Sequence, residues 1–442
     1  MMTRKECENL LAVAVQAAPG VDEVFVTLNG TDSISRTLAG RIIQAPQRMR
    51  NVSLTVTVRK GKRYAQASAN VYNENNVREL VTRAAELTAH MPEAPESPPF
   101  PGPAAVEEAA MFREHEGYDE WNALEDGFSS YSLYTKFAKT QLYGSMTSAE
   151  SVVALASSNG LFLYQPSSLV HLQVRGYASD GSSTGFAERY SIDRATMNAA
   201  EILRNAAENC ITWIKPIEFK PKRITTIFEP RALADILLPM LGQFSRRAIE
   251  QDQSFLRRLD GTSFLGTKMF KEMVTLRSNP FDTRLPSLPF TTDGQPVRAE
   301  TWIDKGTISQ LIADRYDAAA YGTPEVAPPT NLSMDVAEPV KDLVANTENG
   351  LLVKGFANLN IIDPKNCLLS GSTRDGVYLI EKGQITKAVR NLIIRETPVY
   401  FFKELEALGR PELTSTTGSY FPMLLPPMRV KDVMFTQQSG LI

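Results

Sequence analysis

Histidine and cysteine, the residues that most often bind zinc or form disulfides, are scarce in this chain. Its 442 residues include three histidines, and no two of them stand three to five positions apart. No helix can therefore present the paired imidazoles of a zincin-type site on one face. The three cysteines are far apart and form no C-x-x-C pair, which argues against a disulfide framework and a zinc ribbon. The six residues are His90, His115, His171, Cys7, Cys210 and Cys367.

One dipeptide, His115–Glu116, begins like a metalloprotease motif, but the residues from Gly117 to Trp121 supply no second histidine. We interpret it as a chance pairing. Carboxylates alone could still form a metal site, although no spacing among them indicates one. Cys367 is interpreted as a small buried hydrophobic residue. The sequence therefore predicts no bound metal and no cofactor.

Long apolar runs and a strong charge of either sign are also missing. No segment approaches the roughly 18 apolar residues that a membrane-spanning helix needs. The formal net charge of -3 gives no general attraction to nucleic acid or to an anionic membrane. Leu10 to Ala18 looks like a short signal-peptide core, but Glu6 and Glu8 precede it and its apolar residues suit an amphipathic helix. We expect a cytoplasmic protein that binds neither nucleic acid nor membrane.

The length of the chain exceeds what one hydrophobic core usually supports, so two or three domains are expected. The clearest boundary is a linker over 91–104, whose six prolines prevent regular structure. It separates a helix–sheet–helix unit over 1–90 from a second α+β unit over 105–215, which we expect to pack with the first. A β-rich domain over 222–442 follows. The predicted fold class is α+β, with a small antiparallel sheet and flanking helices followed by a mostly antiparallel β domain.

Apolar periodicity predicts the elements of the two N-terminal units. Strands are predicted at 24–28, 33–43 and 52–58, with a turn at Asn29–Gly30 between the first two. Glycine readily adopts the positive φ of a tight turn, and three hairpin turns are predicted on that ground. They are Lys60–Gly61–Lys62, Asn159–Gly160 and Asp180–Gly181. The predicted helices are the amphipathic first helix, one that begins near Asn75 and one over 194–210.

In the C-terminal block, a strand over 224–228 is expected to be broken by Glu229–Pro230, and a helix should run from Ala232 to Leu241 and continue past Ser245. The block also contains a weak internal echo. Trp302 to Ile308 and Leu379 to Ile385 each place an acidic residue, Lys and Gly between two isoleucines. Two separate hairpins with the same turn chemistry are the favoured interpretation, and a duplicated structural unit is the alternative.

Short segments between residues 41 and 392 resemble, in order and spacing, the signatures of one family. Phe290 to Arg298 is similar to "pfDdEG-p-t-r", with Thr292 in place of an acidic residue. Tyr378 to Ile385, followed by Val389 and Asn391–Leu392, is similar to "yLIEnGkI-pV-nl". The other segments are Ile303–Gly306, Asp314–Ala319, Pro329–Leu332 and the N-terminal stretch Arg41–Ala69. Together they resemble the TldD/PmbA family.

The resemblance implies a specific difference in metal chemistry. In the TldD type of this family a helix carries His-Glu-x-x-x-His, and a cysteine near the C-terminus completes a zinc site with the glutamate as base. The matching positions here hold Pro239, Met240 and Phe244, and the cysteine position falls near Thr414. Proline and phenylalanine have no ligand atom, and a thioether is a poor ligand for zinc. The chain thus resembles the metal-free PmbA (TldE) type.

Three functions are consistent with these observations. The resemblance implies a non-catalytic subunit of a TldD/PmbA-type zinc peptidase, partnered by a TldD-like zinc subunit and acting on peptides. Microcin leader removal, antitoxin degradation and modulation of DNA gyrase are roles known in the family. The alternative is a stand-alone homodimeric peptide-binding protein. A third possibility is an enzyme with Ser254 or Thr414 as nucleophile, although no histidine stands near either in sequence. In the first two, edge strands of the C-terminal domain would hold an extended peptide.

Overall fold

The computed structural model describes residues 1–442 except 18–19, 41, 72, 95–96, 114–123, 130–138, 221, 417–418 and 441–442. His115–Glu116 lies outside the described residues. The helices are α1 Arg4–Gln16, α2 Glu74–Leu87, α3 124–129, α4 Ala199–Thr212, α5 Pro230–Gly242, α6 Arg246–Glu250, α7 Arg315–Tyr321 and α8 Pro398–Lys403.

The first ten strands are β1 Glu23–Gly40, β2 Ile42–Ile43, β3 Gln47–Lys60, β4 Arg63–Asn70, β5 Thr140–Ser157, β6 Phe162–Ala178, β7 Thr184–Ser191, β8 Arg223–Phe228, β9 Leu276–Ser278 and β10 Glu300–Asp304. The others are β11 Thr307–Ile308, β12 Leu332–Met334, β13 Asn349–Asp363, β14 Leu368–Glu381, β15 Gln384–Val389, β16 Leu392–Glu396, β17 Leu405–Leu408, β18 Glu412–Thr416, β19 Ser419–Leu425 and β20 Met428–Gln438. This mixture of helices and mostly antiparallel strands confirms the predicted α+β class.

The N-terminal half is built on one antiparallel sheet, the N-terminal sheet, with strand order β4-β3-β1-β5-β6-β7 and β2 attached to β1. Strands β1 and β5 pair over sixteen positions, from Phe25 with Ser157 to Gly40 with Leu142. Because β1 precedes the proline-rich linker and β5 follows it, the segments 1–90 and 105–215 share a sheet rather than packing as two separate units.

The predicted turn at Asn29–Gly30 is wrong, because both residues lie inside the continuous strand β1. Gly30 is opposite Val52 on one side and Val152 on the other. A Cβ at Gly30 would approach the Val152 side chain to 2.9 Å. Pairing with long strands on both sides therefore overrides the local turn preference of the Asn–Gly pair.

Helices cover one face of the N-terminal sheet. Helix α1 begins with a capping box between Thr3 and Glu6, and it packs with α2 over β1, β3 and β5. Helix α4 covers the β6–β7 end, where α3 also contributes Leu124. The predicted apolar faces of these helices are confirmed by burial of, among others, Leu11, Val77, Leu80, Val81, Ala84, Ile202, Ala206 and Ala207.

The C-terminal domain (223–440) contains two sheets on either side of α5. In the first, β13-β8-β20-β16-β14 close into a ring, because β14 also pairs with β13. In the second, six strands follow the order β11-β10-β9-β12-β19-β18. Helix α5 packs against β13 of the ring and against β18 and β19 of the second sheet. One large apolar core joins all three layers.

The Glu229–Pro230 pair ends β8 as predicted, but it also starts α5. Glu229 is the N-cap and Pro230 occupies the first turn, where a missing N–H costs nothing. The helix does not continue past Ser245. It ends at Gly242, and the Ser245 side chain accepts a hydrogen bond from the Ala248 N–H to begin α6.

The repeated acidic-Lys-Gly motif forms two hairpins in different sheets, β10–β11 and β14–β15. Both loop residues have positive φ in each case: 46° and 82° at Lys305–Gly306, and 53° and 73° at Lys382–Gly383. Two positive φ values define a type I′ turn, which matches the twist of paired strands. The similarity of the two segments is therefore explained by the same turn chemistry in two separate hairpins.

All three cysteines are free and buried, and burial raises the pKa of Cys367 to about 12. Within the described residues, no helix has both the length and the apolar character required to cross a membrane.

Two glycines provide a matched test of turn packing. A Cβ at Gly61 meets nothing within 4 Å, whereas one at Gly306 would lie 2.2 Å from the Phe270 carbonyl oxygen. The left-handed conformation costs alanine about 1–2 kcal/mol. We expect Gly61→Ala to lower the free energy of unfolding by about that amount, and Gly306→Ala to lower it by clearly more. Urea denaturation measures both, and equal losses would contradict the packing described for the Lys305–Gly306 turn.

Candidate functional site

A cleft of about 950 Å³ lies between the N-terminal sheet and the C-terminal domain. We call it the interdomain cleft. Strand β7 and helix α4 form its N-terminal wall. The opposite wall comes from the start of α5 and from β13, β14, β18 and β19. The cleft is thus assembled from elements more than 200 residues apart in sequence.

Two of the strands that bound the interdomain cleft are edge strands. Strand β7 is the last strand of the N-terminal sheet, and β18 is the last strand of the second C-terminal sheet. Each contributes consecutive residues to the lining, 186–191 from β7 and 412–415 from β18. Backbone groups along such edges are able to pair with an added extended chain.

A buried ion cluster joins the two walls. The Asp375 carboxylate, whose side chain is only 2% exposed, pairs with Arg175 from β6 and, at 3.1 Å, with Arg231 from α5. Both guanidiniums also lie against the Phe186 ring, 4.7 Å and 4.9 Å from its centroid. Burial alone would raise the pKa of Asp375, but Arg231 and Arg175 outweigh it and hold the pKa below its usual value. One carboxylate thus bridges a cation from each domain.

A second polar group crosses the cleft beside this cluster. The Lys354 ammonium donates to the Asn209 side-chain oxygen at 2.8 Å and lies 3.9 Å from the Glu229 carboxylate. Burial raises the pKa of Glu229, and Lys354 and Arg231 offset part of that effect. The Lys354 ammonium also lies over the Tyr378 ring, with the nitrogen 5.6 Å from the ring centroid.

The β6–β7 wall carries an aromatic and acidic group. The His171 ring stacks on Tyr190 with centroids 3.9 Å apart, and Tyr190 in turn contacts Tyr420 of β19 at 5.4 Å. Glu188, two residues before Tyr190 on β7, has its carboxylate 3.4 Å from the His171 Nε2 atom. Burial raises the pKa of Tyr190 and of Tyr420 to about 12, so both phenols stay neutral over the physiological range.

The positions that the resemblance aligns with the zinc ligands and the glutamate base of the TldD type lie on α5, just after it, and on β18. Helix α5 and strand β18 pack together. Met240 and Phe244 are fully buried in the C-terminal core, and Pro239 is partly exposed. Thr414 lines the interdomain cleft. Proline and phenyl side chains have no donor atom, and the Met240 thioether points into an apolar core, so these residues do not fit a zinc ion. Among described residues, no three His, Cys, Asp or Glu side chains form a metal-binding group.

Ser254, one of the two nucleophiles considered from the sequence, is 3% exposed. Its hydroxyl donates to the Gln243 carbonyl oxygen at 2.6 Å and accepts from the Leu256 N–H. These are the bonds of a structural serine that fixes a loop after α6. Thr414, the other, is partly exposed at the cleft.

The charged residues of the cleft were not recognised from the sequence. Arg175, Arg231 and Asp375 lie in three different elements, and neither Glu188 nor His171 belongs to a motif. One feature of the sequence does indicate them. Glu188 and Asp375 are charged residues in strands whose pattern is otherwise half-buried, and such residues rarely lie in a core without a partner or a function.

Comparison with known proteins agrees with this architecture. Residues 221–437 match the PmbA/TldA metallopeptidase C-terminal domain. Among solved structures, TldE from Thermococcus kodakarensis is similar at TM-score 0.81 and 17% identity, over 97% of this chain and 99% of that one. A candidate modulator of DNA gyrase from Bacteroides thetaiotaomicron is similar at 0.82 and 18%, over 99% and 100%. Another from Thermotoga maritima gives 0.80 and 16%, over 98% and 100%.

The comparison with curated proteins returned no match. The C-terminal match defines a metallopeptidase-related protein, and the similarity to solved structures extends the shared fold over nearly the whole chain. The chain belongs to the TldD/PmbA family.

The Asp375 cluster yields a stability prediction. Asp375→Asn keeps the shape of the side chain but leaves two guanidiniums, each only 16% exposed, without this counter-ion. Removing one partner of a buried pair costs about 3–5 kcal/mol, and we expect a loss of this order in the free energy of unfolding at neutral pH. The pKa of Asp375 is lowered in the folded protein. Its contribution is therefore complete above the unfolded value of about 3.9 and is lost as the pH falls through the folded value.

Urea titrations of the wild type and Asp375→Asn, from neutral to acid pH, should therefore converge on acidification. Arg374→Gln is the matched control, because Arg374 is 39% exposed and 3.8 Å from Asp375. We expect it to cost at most about 1 kcal/mol. A pH-independent loss in Asp375→Asn, or a loss no larger than that of the control, would contradict the assignment.

Proposed function

We propose that this chain is the non-catalytic, PmbA (TldE)-like subunit of a TldD/PmbA-type zinc peptidase, and that it holds peptides in the interdomain cleft. The observation that carries this proposal is the cleft itself, which runs between two edge strands and adjoins Thr414. An extended peptide needs backbone partners along its length, and edge strands provide them.

The side chains at the aligned ligand positions support the non-catalytic part of the proposal. Met240 and Phe244 contribute to the C-terminal core, where they replace groups that would have to face a metal. A subunit with this core would depend on a partner for metal-assisted hydrolysis. The resemblance to the PmbA (TldE) type and the fold shared with TldE from Thermococcus kodakarensis point in the same direction.

A first test is metal content together with native mass. Purified alone, the chain should contain less than about 0.1 zinc per chain, since a true structural or catalytic site is filled near stoichiometry. It should hydrolyse no peptide alone. Co-expressed with a TldD-type zinc subunit, it should co-purify in a stable complex whose hydrolysis is abolished by a chelator.

Three outcomes would count against this proposal. Stoichiometric zinc bound beside α5 would overturn the non-catalytic assignment. A stable symmetric dimer that binds peptides but associates with no TldD-type chain would instead support the stand-alone peptide-binding protein. Chelator-resistant hydrolysis that disappears in Thr414→Ala would revive the enzyme with a different centre.

A second test locates the peptide. Leu413 on β18 lines the cleft and its side chain is 65% exposed. A photo-crosslinking amino acid at this position should label a bound extended peptide. Ile385 on β15 is 49% exposed and lies outside the cleft lining, which makes it the matched control. Crosslinking at 413 but not at 385 is expected, and equal labelling at both positions would rule out the cleft as the binding surface.

A further inference from the structure

Glu188 is a carboxylate of the cleft wall that is buried without a hydrogen-bond partner. Its side chain is 8% exposed, and both carboxylate oxygens are buried without a hydrogen-bond partner. The His171 Nε2 atom, 3.4 Å away, also makes no hydrogen bond. Burying a carboxylate without hydrogen bonds is costly, so such a group in a folded protein requires an explanation.

The cations that line the cleft are already paired. Arg189 lies 3.4 Å from Glu201, Arg284 lies 2.6 Å from Asp282, Arg231 pairs with Asp375, and Lys354 lies 3.9 Å from Glu229. None of these four is within ion-pair distance of Glu188. Glu188 therefore has no cationic partner among these four side chains.

Two aromatic rings line the same part of the cleft. Tyr190 and Tyr420 line the cleft next to Glu188, and their rings contact each other at 5.4 Å. A ring face attracts an ammonium or guanidinium group, and a desolvated carboxylate forms a charge-assisted hydrogen bond to the same group. The carboxylate and the aromatic rings therefore both favour a ligand with an ammonium or guanidinium group.

From this geometry we infer that Glu188, Tyr190 and Tyr420 form a subsite for a cationic group of the peptide held in the interdomain cleft. The inference rests on the proposed peptide-binding function and names the substrate class: peptides that present an ammonium or guanidinium group to the β7 wall. A lysine or arginine side chain and a free amino terminus share this chemistry.

The test uses the full purified chain and short peptides with a fluorophore at the carboxyl end, measured by fluorescence anisotropy. One acetylated peptide carries a single lysine, a second arginine, a third norleucine and a fourth acetyl-lysine. A fifth has norleucine and a free amino terminus, so that the two sources of the cation are separated. Because a hydrogen bond to a charged group is among the stronger protein contacts, we expect at least one cationic peptide to bind about tenfold more tightly than the acetylated norleucine peptide.

Glu188→Gln should remove this preference, so that the cationic peptides and the norleucine peptide bind the variant with similar affinities. Glu218→Gln is the control, because Glu218 is exposed and lies outside the cleft lining, so the preference should be kept. The melting temperature gives an independent readout. Loss of a buried unpaired charge should raise it, whereas loss of a structural ion pair with His171 would lower it.

The outcomes separate the two claims. Binding of all peptides with equal affinity would overturn the subsite and leave the proposed function standing. Absence of binding by any peptide would overturn both. If Glu188→Gln does not fold, the comparison of cationic, acetyl-lysine and norleucine peptides on the wild type decides the question alone.

Discussion

The relative position of the two domains depends on one buried carboxylate. Asp375 in β14 pairs with both Arg175 from the N-terminal sheet and Arg231 from α5, and both guanidiniums contact the Phe186 ring. Two arginines could not come together in a buried setting without it, because their mutual repulsion and their desolvation would both oppose assembly. The β7 wall of the cleft and the start of α5 are therefore fixed relative to each other by this charge.

A second anchor lies at the far end of the same sheet face, where Phe290 of the C-terminal domain packs on Phe25, Leu155 and Leu163. Between the two anchors the face that includes His171 is mostly polar, since strand alternation places Thr147, Gln173 and Glu188 beside it. An apolar contact at one end and an ionic contact at the other hold the domains together, and polar groups remain available to a ligand.

Local sequence signals predicted the elements that depend on local chemistry. Glycines with positive φ marked the hairpins at Gly61, Gly160 and Gly181, and apolar faces marked α1, α2 and α4. The errors arose where distant pairing decides the outcome. Asn29–Gly30 is extended because strands on both sides hold it. Strands β5 and β6 extend far beyond their apolar segments. Their ends were not predicted as strand, because the polar residues on one face interrupt the apolar alternation and resemble a loop.

For the candidate site, the resemblance aligns Pro239, Phe244 and Thr414 with the zinc ligands of the TldD type and Met240 with its glutamate base, and none of these side chains can replace paired imidazoles and a thiolate. Side-chain identity suffices for that conclusion, because donor atoms are a property of the residue. The interdomain cleft was decided only by tertiary structure. Glu188, Asp375 and their partners come from strands and helices far apart in sequence, and burial and charge pairing exist only once those elements are packed.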